Sequence, residues 1–166
     1  MNKFEVLGFE PRFGLDAVEL ERRYKELSRK LHPDRFATAP PKERIASLAA
    51  ATALNDAYRT LRAPVARAAH ILELHGRSLG QNEPVDQAFL MEILELREAL
   101  AEAKVAGDAA RMQALGGDIG GRRAAALTAL GEALETGRWD DAKRELVLLR
   151  YFDRFLAAHE ETEDDA

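Results

Sequence analysis

Apolar residues in this chain recur three and four positions apart rather than at alternate positions; alanine, leucine, arginine and glutamate dominate, and β-branched residues are few. That spacing is the period of a helix face, so an all-α chain is expected. Glycine and proline divide it. Asp16 opens a helix as its N-cap, with Glu19 three residues on in a capping-box-like pattern, and Leu20, Tyr24, Leu27 and Leu31 fall on one face. Pro33 ends that helix, because the residue before a proline is pushed out of the helical region. Pro40 and Pro41 open a second long helix with the stripe Leu54, Ala57, Tyr58 and Leu61. Two antiparallel helices joined by a ten-residue loop are expected, with Tyr24 and Tyr58 packed between them.

Pro64 starts a short helix, Val65 to Leu74, that stops at Gly76, and Gly76 to Pro84 (GRSLGQNEP) has the composition of a linker or tight turn. Three further helices are expected at about Asp86 to Ala106, Asp108 to Thr136 and Asp140 to Glu160. Gly107 with Asp108, and Gly137 with Asp140, act as stop and restart signals, and such short connections make an antiparallel three-helix bundle. The stretch Glu160 to Ala166 has five acidic residues in seven and is expected to be disordered. Gly116, Gly117, Gly120 and Gly121 fall inside the middle bundle helix, where each costs about 1 kcal/mol relative to alanine. Either packing on neighbouring helices holds that segment, with a kink, or it is a hinge.

Composition narrows the chemistry. At 166 residues, one domain or two small ones is the prior, and a net charge of −5 excludes a polybasic nucleic-acid binder. With no cysteine there is no disulfide framework, thiolate zinc site or protein-ligated iron–sulfur cluster, and no cofactor or structural metal is expected. No apolar stretch approaches the ~20 residues that span a bilayer, so a cytoplasmic protein without membrane contact is expected. His70 and His75 are five apart, about 140° around a helix, and do not converge as ligands. His32 and Asp34 lack any accompanying nucleophile or phosphate-binding loop, which argues against an enzyme. A ten-residue connection is too long for a helix-turn-helix, and the acidic second half would repel phosphate.

The tripeptide His32-Pro33-Asp34 is more informative in its context. A helix with a basic exposed face (Arg22, Arg23, Lys25, Arg29, Lys30) leads into it, and a proline-started helix bearing Leu54-Asn55-Asp56-Ala57-Tyr58 leads out. Over residues 2 to about 75 this arrangement resembles the J domain of the DnaJ-type co-chaperones. The resemblance implies that His32, Pro33 and Asp34 trigger ATP hydrolysis in a heat-shock ATPase, with Lys25, Arg29, Lys30 and Arg35 as steering charges toward its acidic surface. A cationic helix face raises the encounter rate with an anionic partner, and a proline turn presents two polar side chains at small entropic cost.

Downstream, the segment Ala88 to Glu98 (AFLMEILELRE), with Arg62-Ala63-Pro64, Leu74-His75-Gly76, Trp139-Asp140 and Leu149 to Asp153, is similar to HscB, the J-type co-chaperone of iron–sulfur cluster biogenesis. Phe89, Ile93, Leu96, Leu100 and Ala103 follow the helical period toward a bundle core, which leaves Leu90, Met91 and Leu94 on a neighbouring face. Met91, Glu95, Glu98 and Glu102 form one stripe that begins apolar and ends acidic. Periodicity alone leaves open whether Leu90 and Leu94 pack on the J domain or meet a partner. The HscB resemblance implies the partner: Leu90, Met91, Leu94, Glu95, Glu98, Glu102 and Tyr151 would grip the scaffold IscU and deliver it to an HscA-type ATPase. It also implies an L-shaped molecule, with a J domain over 1–76, a linker over 77–84, a three-helix bundle over 85–160 and an acidic tail over 161–166. A general J-domain co-chaperone with other clients is the competing reading.

The charge divides along the same line. Residues 1–80 carry 14 basic and 10 acidic side chains and residues 81–166 carry 10 and 19, as an adaptor with one basic and one acid-bordered surface would.

Overall fold

Every regular element among the described residues is helical, as the apolar period requires. The computed structural model describes residues 1–164, the last three by backbone alone. Its helices are α1 (Lys3–Val6), α2 (Ala17–Leu31), α3 (Pro41–Arg62), α4 (Pro64–Leu74), α5 (Gln87–Ala106), α6 (Ala109–Glu135) and α7 (Trp139–Asp164), with a 3-10 turn at Pro33–Phe36. The chain divides into two compact units, Met1–Ile71 and Leu72–Ala166. That division falls inside α4, whereas the sequence reading places a linker at 77–84.

In the first unit α1 and α2 pack on α3 around Phe4, Leu7, Leu20, Leu54, Ala57 and Leu61, all buried. Asp16 caps α2 by accepting from the Val18 and Glu19 amides at 2.9 and 3.2 Å. Glu19 does not close the expected box; its carboxylate binds Arg22 and Arg23 at 2.8 Å, which holds it well below the usual range, at about 2. The reciprocal box belongs to α1, where Asn2 accepts from the Glu5 amide and Glu5 accepts from the Asn2 amide. Four residues are too few for helical periodicity to show, so α1 was not legible. Tyr24 and Tyr58 stack with centroids 4.0 Å apart, and the Tyr24 hydroxyl donates to Asn55 at 2.8 Å. At the other end of this pair the buried Ser47 hydroxyl donates to the Leu31 carbonyl at 3.2 Å. That bond satisfies a carbonyl of the last turn of α2 and fixes the chain just before the loop.

In the second unit α5, α6 and α7 form a three-helix bundle in which α6 and α7 make the most extensive pairing. Its buried residues include Ile93, Leu100, Ile119, Leu130, Leu146, Leu149 and Phe155. Gly107, at φ 65°, ends α5 in the left-handed conformation and lets the Asp108 amide reach back to the Ala103 carbonyl at 2.9 Å. Asp108 then caps α6 by accepting from Arg111. Asp140, expected as a cap, lies one residue inside α7 and accepts from the Arg77 guanidinium at 2.8 Å. Helix α7 runs to Asp164, four residues past the expected end at Glu160. The tail expected to be disordered is therefore helical in backbone through 164, and 165–166 lie outside the described residues.

The four glycines lie in one uninterrupted helix, and they are not equivalent. A Cβ on Gly116 would come within 2.8 Å of His159 Nε2, and that nitrogen sits 2.8 Å from the Met112 carbonyl. Gly116 thus lets the α7 imidazole approach the α6 backbone. A Cβ on Gly117, Gly120 or Gly121 would meet nothing within 4 Å. The triple variant G117A/G120A/G121A is expected to stabilise the protein by about 2 kcal/mol in denaturant titration, from the lower backbone entropy of the unfolded chain. G116A should gain nothing, because its methyl displaces His159 from Met112.

Candidate functional site

Two surfaces carry the expected residues, one on each unit. On the first, Leu31 ends α2 and His32 enters an extended conformation (φ −61°, ψ 130°) because Pro33 follows. Pro33 is the first residue of the 3-10 turn, where its missing amide hydrogen is not needed. The turn closes through the Arg35 amide, which donates to the His32 carbonyl at 3.0 Å. The His32 ring caps it: Nδ1 accepts from the Asp34 amide at 3.2 Å. A neutral imidazole that accepts at Nδ1 carries its proton on Nε2, so the outer edge of the ring is a donor. The side chains of His32 and Asp34 are 55% and 91% exposed, with Asp34 Oδ2 3.6 Å from His32 Nδ1. The loop therefore offers a donor and a carboxylate on a backbone held by proline and by its own hydrogen bonds.

The surrounding cations separate into two groups. Lys25 pairs with Glu21 at 2.8 Å and Lys30 with Glu26 at 2.9 Å, each one helical turn away. The Lys25 contact holds the Glu21 carboxyl below its usual range, and the Lys30 contact does the same for Glu26. Among the described residues Arg29 and Arg35 have no carboxylate partner, and with Ser28 and His32 they line an open depression of about 360 Å³. Of the four expected steering charges, these two are free at close range beside the tripeptide. Lys25 and Lys30 contribute only to the overall field, α2 holding five basic and three acidic side chains.

On the second unit, Ile93, Leu100 and Ala103 of α5 are buried and Phe89 and Leu96 half-buried, so the expected core face is the core face. Met91 and Leu94 are 53% and 46% exposed, and Leu90 is half-buried. Beyond them, Glu95 and Glu98 are exposed and without an ion-pair partner among the described residues, while Glu102 makes a long contact of 3.6 Å to Arg111. By contrast Glu92, one position from Met91, is bound to Arg122 at 2.7 Å. The four α5 carboxylates thus sort into Glu92, held by α6, Glu102, in long contact with it, and Glu95 and Glu98, left for solvent. Tyr151 of α7 comes to this helix through Phe89, whose ring meets it edge-on at 5.7 Å. The Arg154 guanidinium lies 5.3 Å from the Tyr151 ring centroid. Arg154 was missed in the sequence; its spacing of three from Tyr151 was the available signal.

His70 and His75 both have packing roles. His70 accepts from the Lys3 amide at 3.3 Å and stacks on Phe4, and His75 stacks on Trp139 at 3.7 Å. Among the described residues no cluster of metal-ligating side chains occurs, and no helix is long and apolar enough to cross a membrane.

The HSCB C-terminal oligomerisation domain matches residues 85–160. The chaperone HscB from Vibrio cholerae is 32% identical, with a TM-score of 0.88 over 99% of this chain and 99% of that one. Human co-chaperone protein HscB is 29% identical, with a TM-score of 0.92 over 100% of this chain and 84% of that one. The Jac1 co-chaperone from Saccharomyces cerevisiae, at 20% identity and a TM-score of 0.74 over 96% and 97%, shares the fold.

Proposed function

Because this chain belongs to the HscB family of J-type co-chaperones in iron–sulfur cluster biogenesis, with an N-terminal J domain and a C-terminal helical bundle, we propose that it couples two partners. The J domain engages an HscA-type heat-shock ATPase through His32, Pro33 and Asp34, with Arg29 and Arg35 as the close docking charges and Lys25 and Lys30 adding to the field. The bundle holds an IscU-type scaffold on Leu90, Met91, Leu94, Glu95, Glu98, Glu102 and Tyr151. The protein acts as an activator of a partner's catalysis and not as a catalyst.

The observation that carries this reading is the unpartnered state of both surfaces. Arg29, Arg35 and the exposed Asp34 carboxylate on one unit, and Met91, Leu94, Glu95 and Glu98 on the other, are groups whose interactions within the chain are incomplete. An exposed apolar patch with an acidic border supplies burial from the patch and orientation from the charges. Recovery from native lysate tests it: the immobilised protein is expected to retain both a heat-shock ATPase and an iron–sulfur scaffold. Recovery of the ATPase with unrelated clients and no scaffold would overturn the specialised reading in favour of a general J-domain co-chaperone.

A further inference from the structure

The second unit holds a groove of about 530 Å³ between the Glu83–Asp86 segment with the start of α5 and the first turns of α7. Its size lies in the range of about 300–1,000 Å³ typical of binding sites. Pro84, Val85 and Phe89 on one side and Val147 and Leu148 on the other give its lining an apolar part.

The charges around it are unevenly satisfied. Lys143 is bound to Glu83 at 3.4 Å, and Glu83 also accepts from the Gly80 amide at 2.6 Å. Arg144 is held by Asp141, and Asp140 by Arg77. Two carboxylates are left over. Asp86 is the N-cap of α5 yet accepts no capping hydrogen bond, and Glu145 is half-buried without an ion-pair partner among the described residues. Burial pushes the Glu145 carboxyl up, with Asp141 adding to the effect and Arg144 opposing it. Asp86 is exposed and Glu145 keeps part of its contact with water, so both carboxylates are open to an incoming cation.

We propose that this groove receives a basic, apolar segment of the scaffold client, its aliphatic side chains against Phe89, Val147 and Leu148 and its Lys or Arg side chain against Asp86 and Glu145. Two observations select that occupant. The groove carries an excess of acid over base, and both of its cations are already engaged by carboxylates of this chain. It is also continuous with the candidate client surface, since Phe89, part of its lining, is the residue that Tyr151 meets edge-on. The proposal rests on the reading that the bundle docks a scaffold protein, and it adds a second contact region and a charge requirement on that scaffold.

Affinity of the full chain for an apo IscU-type scaffold, measured calorimetrically at two salt concentrations, tests it. The double variant Asp86→Asn, Glu145→Gln is expected to weaken binding about 5- to 10-fold and to flatten the salt dependence, as the loss of a partly desolvated charge contact should. Leu148→Trp, which adds bulk to the groove and leaves both carboxylates in the sequence, should weaken binding to a similar degree. Circular dichroism of each variant checks the fold. The control is L90A/M91A/L94A. If the control loses affinity while the groove variants bind as wild type, the groove proposal is overturned and the docking surface stands. If Leu148→Trp alone weakens binding, the occupant is not basic and the proposal is again overturned. If the control itself binds as wild type, the underlying client reading is overturned.

Discussion

The His32→Gln variant is expected to leave the partner ATPase at its unstimulated rate while binding the scaffold as wild type does. The expectation is a total loss because of what the side chain does inside the protein, which is little. The ring is more than half exposed, and among the described residues its one hydrogen bond is Nδ1 accepting from the Asp34 amide. Losing an exposed capping bond of this kind costs about 0.5–2 kcal/mol of local turn stability, and Arg35 still closes the turn on the His32 carbonyl. The fold therefore survives, and the deficit reports the loss of groups presented to the partner. His32→Asn separates the two contributions, since the Asn carbonyl oxygen can stand where Nδ1 does but nothing replaces Nε2. If Asn restores stimulation, the internal cap at Nδ1 is the operative contribution; if Asn fails like Gln, whose amide nitrogen reaches the place of Nε2, neither the cap nor an outer donor alone suffices and the imidazole as a whole is required. Asp34→Asn, at a carboxylate 91% exposed, is expected to fail in the same assay, and normal stimulation by both His32→Gln and Asp34→Asn would overturn the assignment of the tripeptide. Single-turnover ATP hydrolysis by the HscA-type partner, with and without scaffold, provides the measurement.

What the sequence made legible, and what it did not, follows from the range of the forces involved. Helix period, capping residues and proline stops act over a few residues, so the long helices and the exposure of the 32–34 loop were readable. The state of the charges was not. Lys25, Arg29, Lys30 and Arg35 are interchangeable in a sequence, but side-chain geometry ties Lys25 and Lys30 to Glu21 and Glu26 and leaves Arg29 and Arg35 free. The same holds on α5, where Glu92 and Glu95 differ by one turn edge and Arg122, thirty residues on, decides which is satisfied. Gly116 was opaque for the same reason: its requirement is His159, on another helix. The unit division inside α4 also has no local signal, because the helix runs unbroken across it with no glycine or proline at 71 or 72.

The second large effect concerns the α5 face. Replacing Leu90, Met91 and Leu94 together with alanine is expected to weaken scaffold binding about 30- to 100-fold, corresponding to roughly 2–3 kcal/mol. Each side chain is a partial contributor, since Met91 and Leu94 are only about half exposed and part of their surface is already buried in the free protein. What remains to be buried is apolar, at about 25 cal/mol per Å² before the costs of association are subtracted. The same partial exposure predicts that the fold persists. Alanine is the strongest helix former, and the packing of α5 on the bundle rests on Ile93, Leu100 and Ala103, which are untouched. Far-ultraviolet circular dichroism should therefore match wild type while calorimetric titration with scaffold loses affinity. Charge reversal at Glu95 and Glu98 should act differently. Exposed, unpaired carboxylates at the border of an apolar patch govern approach and orientation, so E95K/E98K is expected to slow association and alter its salt dependence with a smaller effect on dissociation. An alanine triple that binds scaffold as wild type would place Leu90, Met91 and Leu94 outside the interface. A charge reversal that changes only dissociation would place the two glutamates inside its desolvated centre.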